Sequence, residues 1–138
     1  MNKSIPRGLR NHNPLNIRKS SDKWQGLAAE QNDPAFCTFV SNEYGYRAAF
    51  ITIRTYQTKY RCMSISDIIS RWAPNNENNT KAYVKHVAEK AGISAYINVY
   101  CTNKEDMVKI VSAMAEVENG LKAVKREVEE GYRLAFGF

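Results

Sequence analysis

The pattern of hydrophobic residues changes at residue 42, and this change constrains the fold more than any other feature of the sequence. Residues 1–42 are rich in proline, glycine and asparagine, and their short apolar stretches at Leu15–Ile17 and Phe36–Val40 predict small strands. Beyond residue 42, apolar residues recur every three or four positions, as they do along one face of an α-helix. We therefore expect a small N-terminal β element followed by a mostly helical region.

Local signals predict where the first two helices of that region begin and end. Ser41 or Asn42 fits the N-cap of the first helix. Ser64 and Asp67 have the spacing of a capping box for the second helix. Pro74 should end that helix, because the residue before a proline avoids the helical conformation.

Three further helices are expected in the second half of the chain. Thr80 should open the third helix and Gly92 should end it. A capping box at Thr102 and Glu105 predicts the start of the fourth helix, which should end near Asn119. The fifth is expected around residues 124–136. With no repeat or linker in the sequence, residues 1–138 are predicted to form a single, mostly helical α+β domain.

The charge and composition of the chain indicate which classes of molecule it can bind. The chain has 20 Lys and Arg against 14 Asp and Glu, a net charge of +6. Such a surface suits polyanions: nucleic acid, anionic lipid or the bacterial cell wall. No apolar run reaches the roughly 20 residues that a membrane span needs, and no signal peptide is recognised. We expect cytoplasmic synthesis and a monomer.

Metal and disulfide chemistry are not expected. The three cysteines are widely spaced, no C-x-x-C motif occurs, and the only histidines are His12 and His86. A metal centre would have to be built from carboxylates, and no acidic loop has the required density. The sequence therefore predicts no metal site and no cofactor.

Glu118 is the most informative single residue. Helix residues turn by about 100° each, which places Val111 and Met107 about 20° from Glu118 and Met114 about 40° away. Glu118 thus extends the apolar stripe of its own helix, whereas Glu116 should face water. Partial burial favours the protonated form of a carboxyl group, which a general acid needs. The alternative is a glutamate that reaches water or pairs with Lys122.

The N-terminal segment resembles a family of phage and prophage proteins. The stretch RGLRNHNPLNIR at residues 7–18 is similar to that family's R-G-I-R-N-N-N-P-x-N-I-R opening, and RWAPNNENNT at residues 71–80 is its second specific match. The resemblance ends in Glu118-Asn-Gly120, where the family usually has H-E-N-G. His12 replaces the family's middle asparagine, and Val117 replaces its histidine.

Members of that family look like lysozyme-type peptidoglycan hydrolases. The resemblance implies a lysozyme-like domain that cleaves the β-1,4 glycan strand of peptidoglycan, with Glu118 as general acid. It implies an endolysin or virion-associated enzyme that reaches the wall by holin-type release, secretion or virion delivery. Hydrolase, glucosaminidase and lytic transglycosylase chemistry all stay open. The alternative is a non-catalytic phage structural or nucleic-acid-binding protein on the same fold.

A second resemblance concerns the order of motifs. The stretch NPLNIR at residues 13–18, Trp24-x-Gly26 and the Trp72 to Tyr83 region are similar to motifs of flagellar and autolysin-type glucosaminidases. In those enzymes the glutamate helix comes first, whereas here it comes last. This order resembles a circular permutation of a lysozyme-like domain, which close surface termini would permit.

Other residues are candidates for substrate binding. The amide-rich loop after Pro74 suits sugar hydroxyls and N-acetyl groups, although a solvated turn has the same composition; its candidates are Asn75, Asn76 and Asn78. Glu77 is a candidate second carboxylate, with Asp33 and Glu43 as rivals. Trp24 and Tyr83 are candidates for stacking on sugars, and Asn119 for binding substrate beside Glu118. The N-terminal asparagines are expected mainly to fix turns.

Overall fold

The computed structural model describes residues 5–74 and 77–138, and for residues 77 and 78 it describes only the backbone. Its described part contains six helices: α1 (Arg7–Arg10), α2 (Asn42–Tyr60), α3 (Ile65–Trp72), α4 (Glu77–Ala91), α5 (Lys104–Asn119) and α6 (Lys125–Phe136). The expected mostly helical region after residue 42 is confirmed. In the described N-terminal residues, the expected β element consists of two isolated antiparallel bridges, Arg18 with Phe36 and Leu27 with Phe39.

Several predicted helix ends are confirmed by their caps. The Ser41 side chain accepts the Tyr44 N–H at the start of α2. Ser64 and Asp67 form the expected capping box of α3. Gly120 follows α5 with φ of 71°, a left-handed conformation that glycine adopts without steric cost.

Other predicted boundaries were wrong. Helix α4 begins at Glu77, before Thr80, whose hydroxyl donates to the Ala73 carbonyl. The cap of α5 is Asn103, because its Oδ1 accepts the Asp106 N–H at 3.0 Å. Thr102 is one residue too early to be this cap. The single turn of α1 was not predicted, since four residues are too few to show a helical period.

Helix α5 lies at the centre of the hydrophobic core. Its fully buried side chains include Met107, Ile110, Val111 and Met114. Helix α4 packs along one side of it, and the paired helices α2 and α6 contact it as well. Between α2 and α6, the rings of Phe50 and Tyr132 meet edge to face with centroids 5.2 Å apart. Burial of such large apolar side chains supplies most of the favourable free energy of folding.

The N-terminal segment, residues 5–41, buries polar side chains as well as the apolar Leu15 and Phe39. Asn13 is fully buried, and its Nδ2 donates to the carbonyls of Ile17 and Cys37, each at 2.9 Å. Its Oδ1 accepts the Ile17 N–H at 2.9 Å. The amide therefore replaces the backbone pairing that a regular sheet would supply. The expected structural role of the asparagines is confirmed at Asn13.

Asp33 is the second anchor of this segment. Arg7 donates to both carboxylate oxygens of Asp33, at 2.6 and 2.7 Å. The N–H groups of Ala35 and Phe36 donate to Asp33 Oδ1, and Asn11 donates to Oδ2. The Arg7 guanidinium, followed by these other donors, holds the pKa of the Asp33 carboxyl well below its usual range. Asp33 thus has a structural role, which argues against it as the second carboxylate of a site.

Candidate functional site

Glu118 lies where the helical region meets the N-terminal segment. It occupies the last turn of α5 and is half-buried, directly after the fully buried stripe of Met107, Val111 and Met114. The helical spacing had predicted this arrangement. Both carboxylate oxygens have donors: Asn16 Nδ2 reaches Oε1 at 2.7 Å, and the Tyr83 hydroxyl reaches Oε2 at 2.9 Å. Two bonds from different elements fix the orientation of this carboxyl group.

Tyr83 projects from α4 and is buried, with only 8% of its surface exposed. Burial, followed by the nearby Glu118 carboxylate, raises the pKa of the Tyr83 phenol far above its ordinary value. The phenol therefore stays protonated and acts as a fixed donor to Glu118. Tyr83 had been expected to stack on a sugar, but its ring is enclosed by protein, so its contribution is to position Glu118.

Asn16 projects from the turn that follows Asn13. Its φ of 54° is left-handed, a conformation that asparagine tolerates better than most residues. Its N–H donates to the Asn13 carbonyl at 2.9 Å, which closes the turn and directs the side chain toward α5. The N-terminal segment thus contributes Asn16 as a hydrogen-bond donor to the Glu118 carboxyl group.

Asn119 ties the end of α5 to the same segment. Its Nδ2 donates to the Pro14 carbonyl at 2.9 Å and to the Ala115 carbonyl at 3.0 Å. Gly8 permits this close approach, because a Cβ there would lie only 2.7 Å from Asn119 Oδ1 and 2.9 Å from Asn16 Oδ1. Asn119 was predicted to bind substrate, but its amide hydrogens are used in holding the two regions together.

An open groove begins beside Asn16. It has a volume of about 320 Å³, and its walls include the aromatic side chains of Trp24, Tyr56 and Trp72. The rings of Tyr56 and Trp72 lie edge to face with centroids 6.0 Å apart. We call this the aromatic groove. Half-buried aromatic walls suit a chain of sugars, whose C–H faces stack on rings. Asn16 links this groove to the Glu118 carboxyl group, because it lines the groove and donates to Glu118 Oε1.

Trp24 lies where the sequence analysis placed a candidate for binding sugars. It is half-buried on the wall of the aromatic groove. Its indole N–H is buried and has no hydrogen-bond partner in the part of the chain that the structure describes. A buried donor without a partner costs free energy, so this N–H is an unsatisfied polar group in the wall of the aromatic groove.

Four predicted site residues cannot be placed. Asn75 and Asn76 lie outside the described residues. The side chains of Glu77 and Asn78 lie outside them as well, although the backbone of both begins α4. The second carboxylate and the amide loop thus stay predictions. The rival Glu43 pairs with Arg126 at 3.4 Å at the start of α2.

The carboxylate of Glu116 lies in a different part of the surface. It pairs with His86 at 3.1 Å and with Lys90 at 3.6 Å, in a cleft that shares no lining residue with the aromatic groove. Two residues apart on α5, Glu116 and Glu118 therefore face different surroundings. This makes Glu116 a matched control for experiments on Glu118.

The sequence analysis did not assign Asn16, Tyr56 or Arg71 to a site. Asn16 was attributed to turn formation, although it is the second asparagine of the NPLNIR motif that carries both resemblances. That motif was the available signal. Arg71 also lies within a matched stretch, but only the fold brings α2 and α3 beside the N-terminal turn.

Among the described side chains, those of residues 5–74 and 79–138, no three from His, Cys, Asp or Glu are grouped as metal ligands would be. No helix among these residues combines the length and apolar character that a membrane span needs.

Comparison with known proteins shows that the chain is similar in sequence to a phage protein. No family model matches it. Protein P5 of Pseudoalteromonas phage PM2 is 40% identical over 134 residues, which covers 94% of this chain and 82% of that protein. Identity of this level over most of both chains shows common ancestry and confirms the expected relationship to phage proteins. The chain belongs to the family of Protein P5 of Pseudoalteromonas phage PM2.

Proposed function

We propose that this protein cleaves the β-1,4 glycan strand of peptidoglycan, with Glu118 as general acid. The observation that carries the proposal is the half-buried Glu118 carboxyl group, which is held at both oxygens, one of them by Asn16 on the wall of the aromatic groove. The motif resemblance to lysozyme-like enzymes supports the same function. We extend the proposal to a lysozyme-like fold, permuted so that the glutamate helix comes late in the chain.

The chemistry follows from the two donors on Glu118. The protonated carboxyl group gives its proton to the glycosidic oxygen as the bond from C1 to that oxygen breaks. Tyr83 and Asn16 then donate hydrogen bonds to the carboxylate that remains. Because both donors are already in place, the developing charge is stabilised with little rearrangement.

The electrons at C1 can be supplied in two ways. In a hydrolase, water attacks with help from a second carboxylate, for which Glu77 is the proposed residue. In a lytic transglycosylase, the 6-hydroxyl of the sugar attacks and forms a 1,6-anhydro product. Mass spectrometry of the released fragments separates these reactions, because the anhydro product is lighter by one water molecule.

Glu118→Gln tests the proposal directly. Loss of a general acid typically lowers the rate by about 10²–10⁴-fold, so clearing of purified peptidoglycan should almost cease. Glu116→Gln makes the same change of charge two residues away on α5 and should keep wild-type activity. A folded Glu118→Gln protein that clears peptidoglycan at the wild-type rate would refute the assignment of Glu118.

A further inference from the structure

Two clefts adjoin the aromatic groove on the surface. Tyr56 also lines a neighbouring cleft of about 880 Å³ that contains Arg61 and Arg71. Trp24 also lines a cleft of about 500 Å³ that contains Lys23 and Arg47. Thr55 lines both of these clefts, so the three depressions adjoin one another, and we call them together the extended groove. Such a branched surface suits a polymer better than a single small molecule.

Positive charge dominates the extended groove. Its lining includes six cationic side chains: Arg18, Lys19, Lys23, Arg47, Arg61 and Arg71. None of the six forms an ion pair within the described residues. Of the two carboxylates that line it, Asp67 accepts backbone N–H groups at the start of α3, and Asp22 accepts a bond from Ser20. The groove therefore has a surplus of unpaired cations.

Arg71 is held in a defined orientation. Its guanidinium carbon lies 3.4 Å from the centroid of the Tyr60 ring and 5.4 Å from that of Tyr56. Stacking on the ring face leaves the N–H groups at the edge of the guanidinium free to donate two hydrogen bonds to a carboxylate. Arg61 follows Tyr60 directly and lines the same cleft. Together they place two guanidinium groups in this cleft.

The cleft of about 500 Å³ contains buried donors. Arg47 Nε, like the indole N–H of Trp24, is buried without a hydrogen-bond partner among the described residues. Both side chains line this cleft. Cationic side chains thus lie in both clefts that adjoin the aromatic groove.

We propose that the extended groove selects peptidoglycan strands that carry stem peptides, because Arg61 and Arg71 pair with the free carboxylates of those peptides. This inference rests on the proposed function. Sugars stack on the aromatic walls near Glu118, while the charged peptides branch toward the arginines. An uncharged polymer of the same sugars, such as chitin, lacks that second set of contacts.

A nucleic acid fits the extended groove less well. It carries a phosphate at every nucleotide, whereas Arg61 and Arg71 lie together in one cleft beside the aromatic groove. Peptidoglycan carries its carboxylates on side branches, away from its sugar backbone. The clustering of the two arginines thus favours a polymer with a neutral backbone and charged branches.

The test measures binding separately from cleavage. All variants carry Glu118→Gln, so that the polymer is not cleaved during the measurement. Cosedimentation then gives the affinity of each variant for two polymers. One is intact sacculi, and the other is glycan strands from which an amidase has removed the peptides. Arg61→Gln/Arg71→Gln should lower affinity for sacculi by roughly tenfold, as expected for two partly exposed charge pairs, and leave the stripped strands unchanged. Lys109→Gln/Lys122→Gln is the matched control, since both lysines line the separate Glu116 cleft.

Each other outcome overturns the inference. Unchanged affinity for sacculi would remove the arginines from binding, and an equal loss on both polymers would place them on the sugars. Tighter binding of a single-stranded DNA oligonucleotide through the same arginines would identify a nucleic-acid groove. Arg61→Gln alone, which leaves the Arg71–Tyr60 stack intact, gives the same readout if the double variant unfolds. Failure of the proposed function is recognised separately, because the wild-type protein would then not clear purified peptidoglycan.

Discussion

The N-terminal segment and the helical region are stabilised by different kinds of interaction. In residues 5–41 the buried polar side chains of Asn13 and Asp33 satisfy irregular backbone, and there is little regular secondary structure. In residues 42–138 the helices satisfy their own backbone, and apolar packing around α5 dominates. Hydrogen bonds need particular atoms at particular places, whereas apolar burial needs mainly volume. The N-terminal segment should therefore tolerate far fewer substitutions.

The candidate site lies where these two regions meet. Glu118 and Tyr83 come from helices whose positions are fixed by packing, and Asn16 comes from the segment fixed by polar contacts. Rigid elements position a carboxyl group well, and an irregular turn can present an amide at an angle that a helix cannot. The combination explains why the region with least secondary structure contributes directly to the site.

The largest effect is expected when a buried side chain of each region is replaced by leucine. Ile110→Leu in α5 conserves volume in a fully buried position and should cost less than about 1.5 kcal/mol. Asn13→Leu removes every partner of the Asn13 amide and leaves buried N–H and C=O groups unpaired, which should cost about 3 kcal/mol or more. Urea unfolding of both variants gives the comparison. Equal losses of stability would show that the two regions do not differ in this way.

A smaller effect is expected at the contact between the regions. Asn16→Gly keeps the left-handed turn but removes the bond to Glu118, so stability should fall by only roughly 1 kcal/mol. Asn16→Ala loses the same bond and adds about 1–2 kcal/mol of strain from its positive φ. If Asn16 orients Glu118, both variants should lose peptidoglycan-clearing activity to the same extent. If Asn16→Ala instead loses more activity than Asn16→Gly, in line with its lower stability, then Asn16 only stabilises the turn and does not orient Glu118.

How much the sequence predicts differs between the two regions as well. Periodicity and caps predicted α2, α3 and the end of α5, because these signals lie within a few residues of one another. The burial of the stripe that leads to Glu118 was predicted for the same reason. The contact between Asn16 and Glu118 joins residues 102 positions apart, and no local pattern encodes it. Asp33 was a candidate catalytic carboxylate until the fold brought Arg7 against it.

The smallest effect, confined to acid, is expected at Asp33. Its carboxyl pKa is lowered in the folded protein, chiefly by Arg7, and returns to about 3.9 on unfolding. A lowered folded pKa means that the interaction stabilises the protein above the unfolded value and is lost as the pH falls below it. Wild type should therefore be more stable than Asp33→Asn at pH 7, and the difference should shrink as the pH falls below about 4.

Glu130→Gln is the control, because Glu130 pairs with Arg133 on the exposed surface of α6, where an ion pair contributes little. Unfolding free energies measured from pH 7 to pH 3 decide the matter. Parallel curves for wild type and Asp33→Asn would mean that the Arg7–Asp33 pair does not hold the N-terminal segment, and the contrast between the two regions would rest on the neutral amides alone.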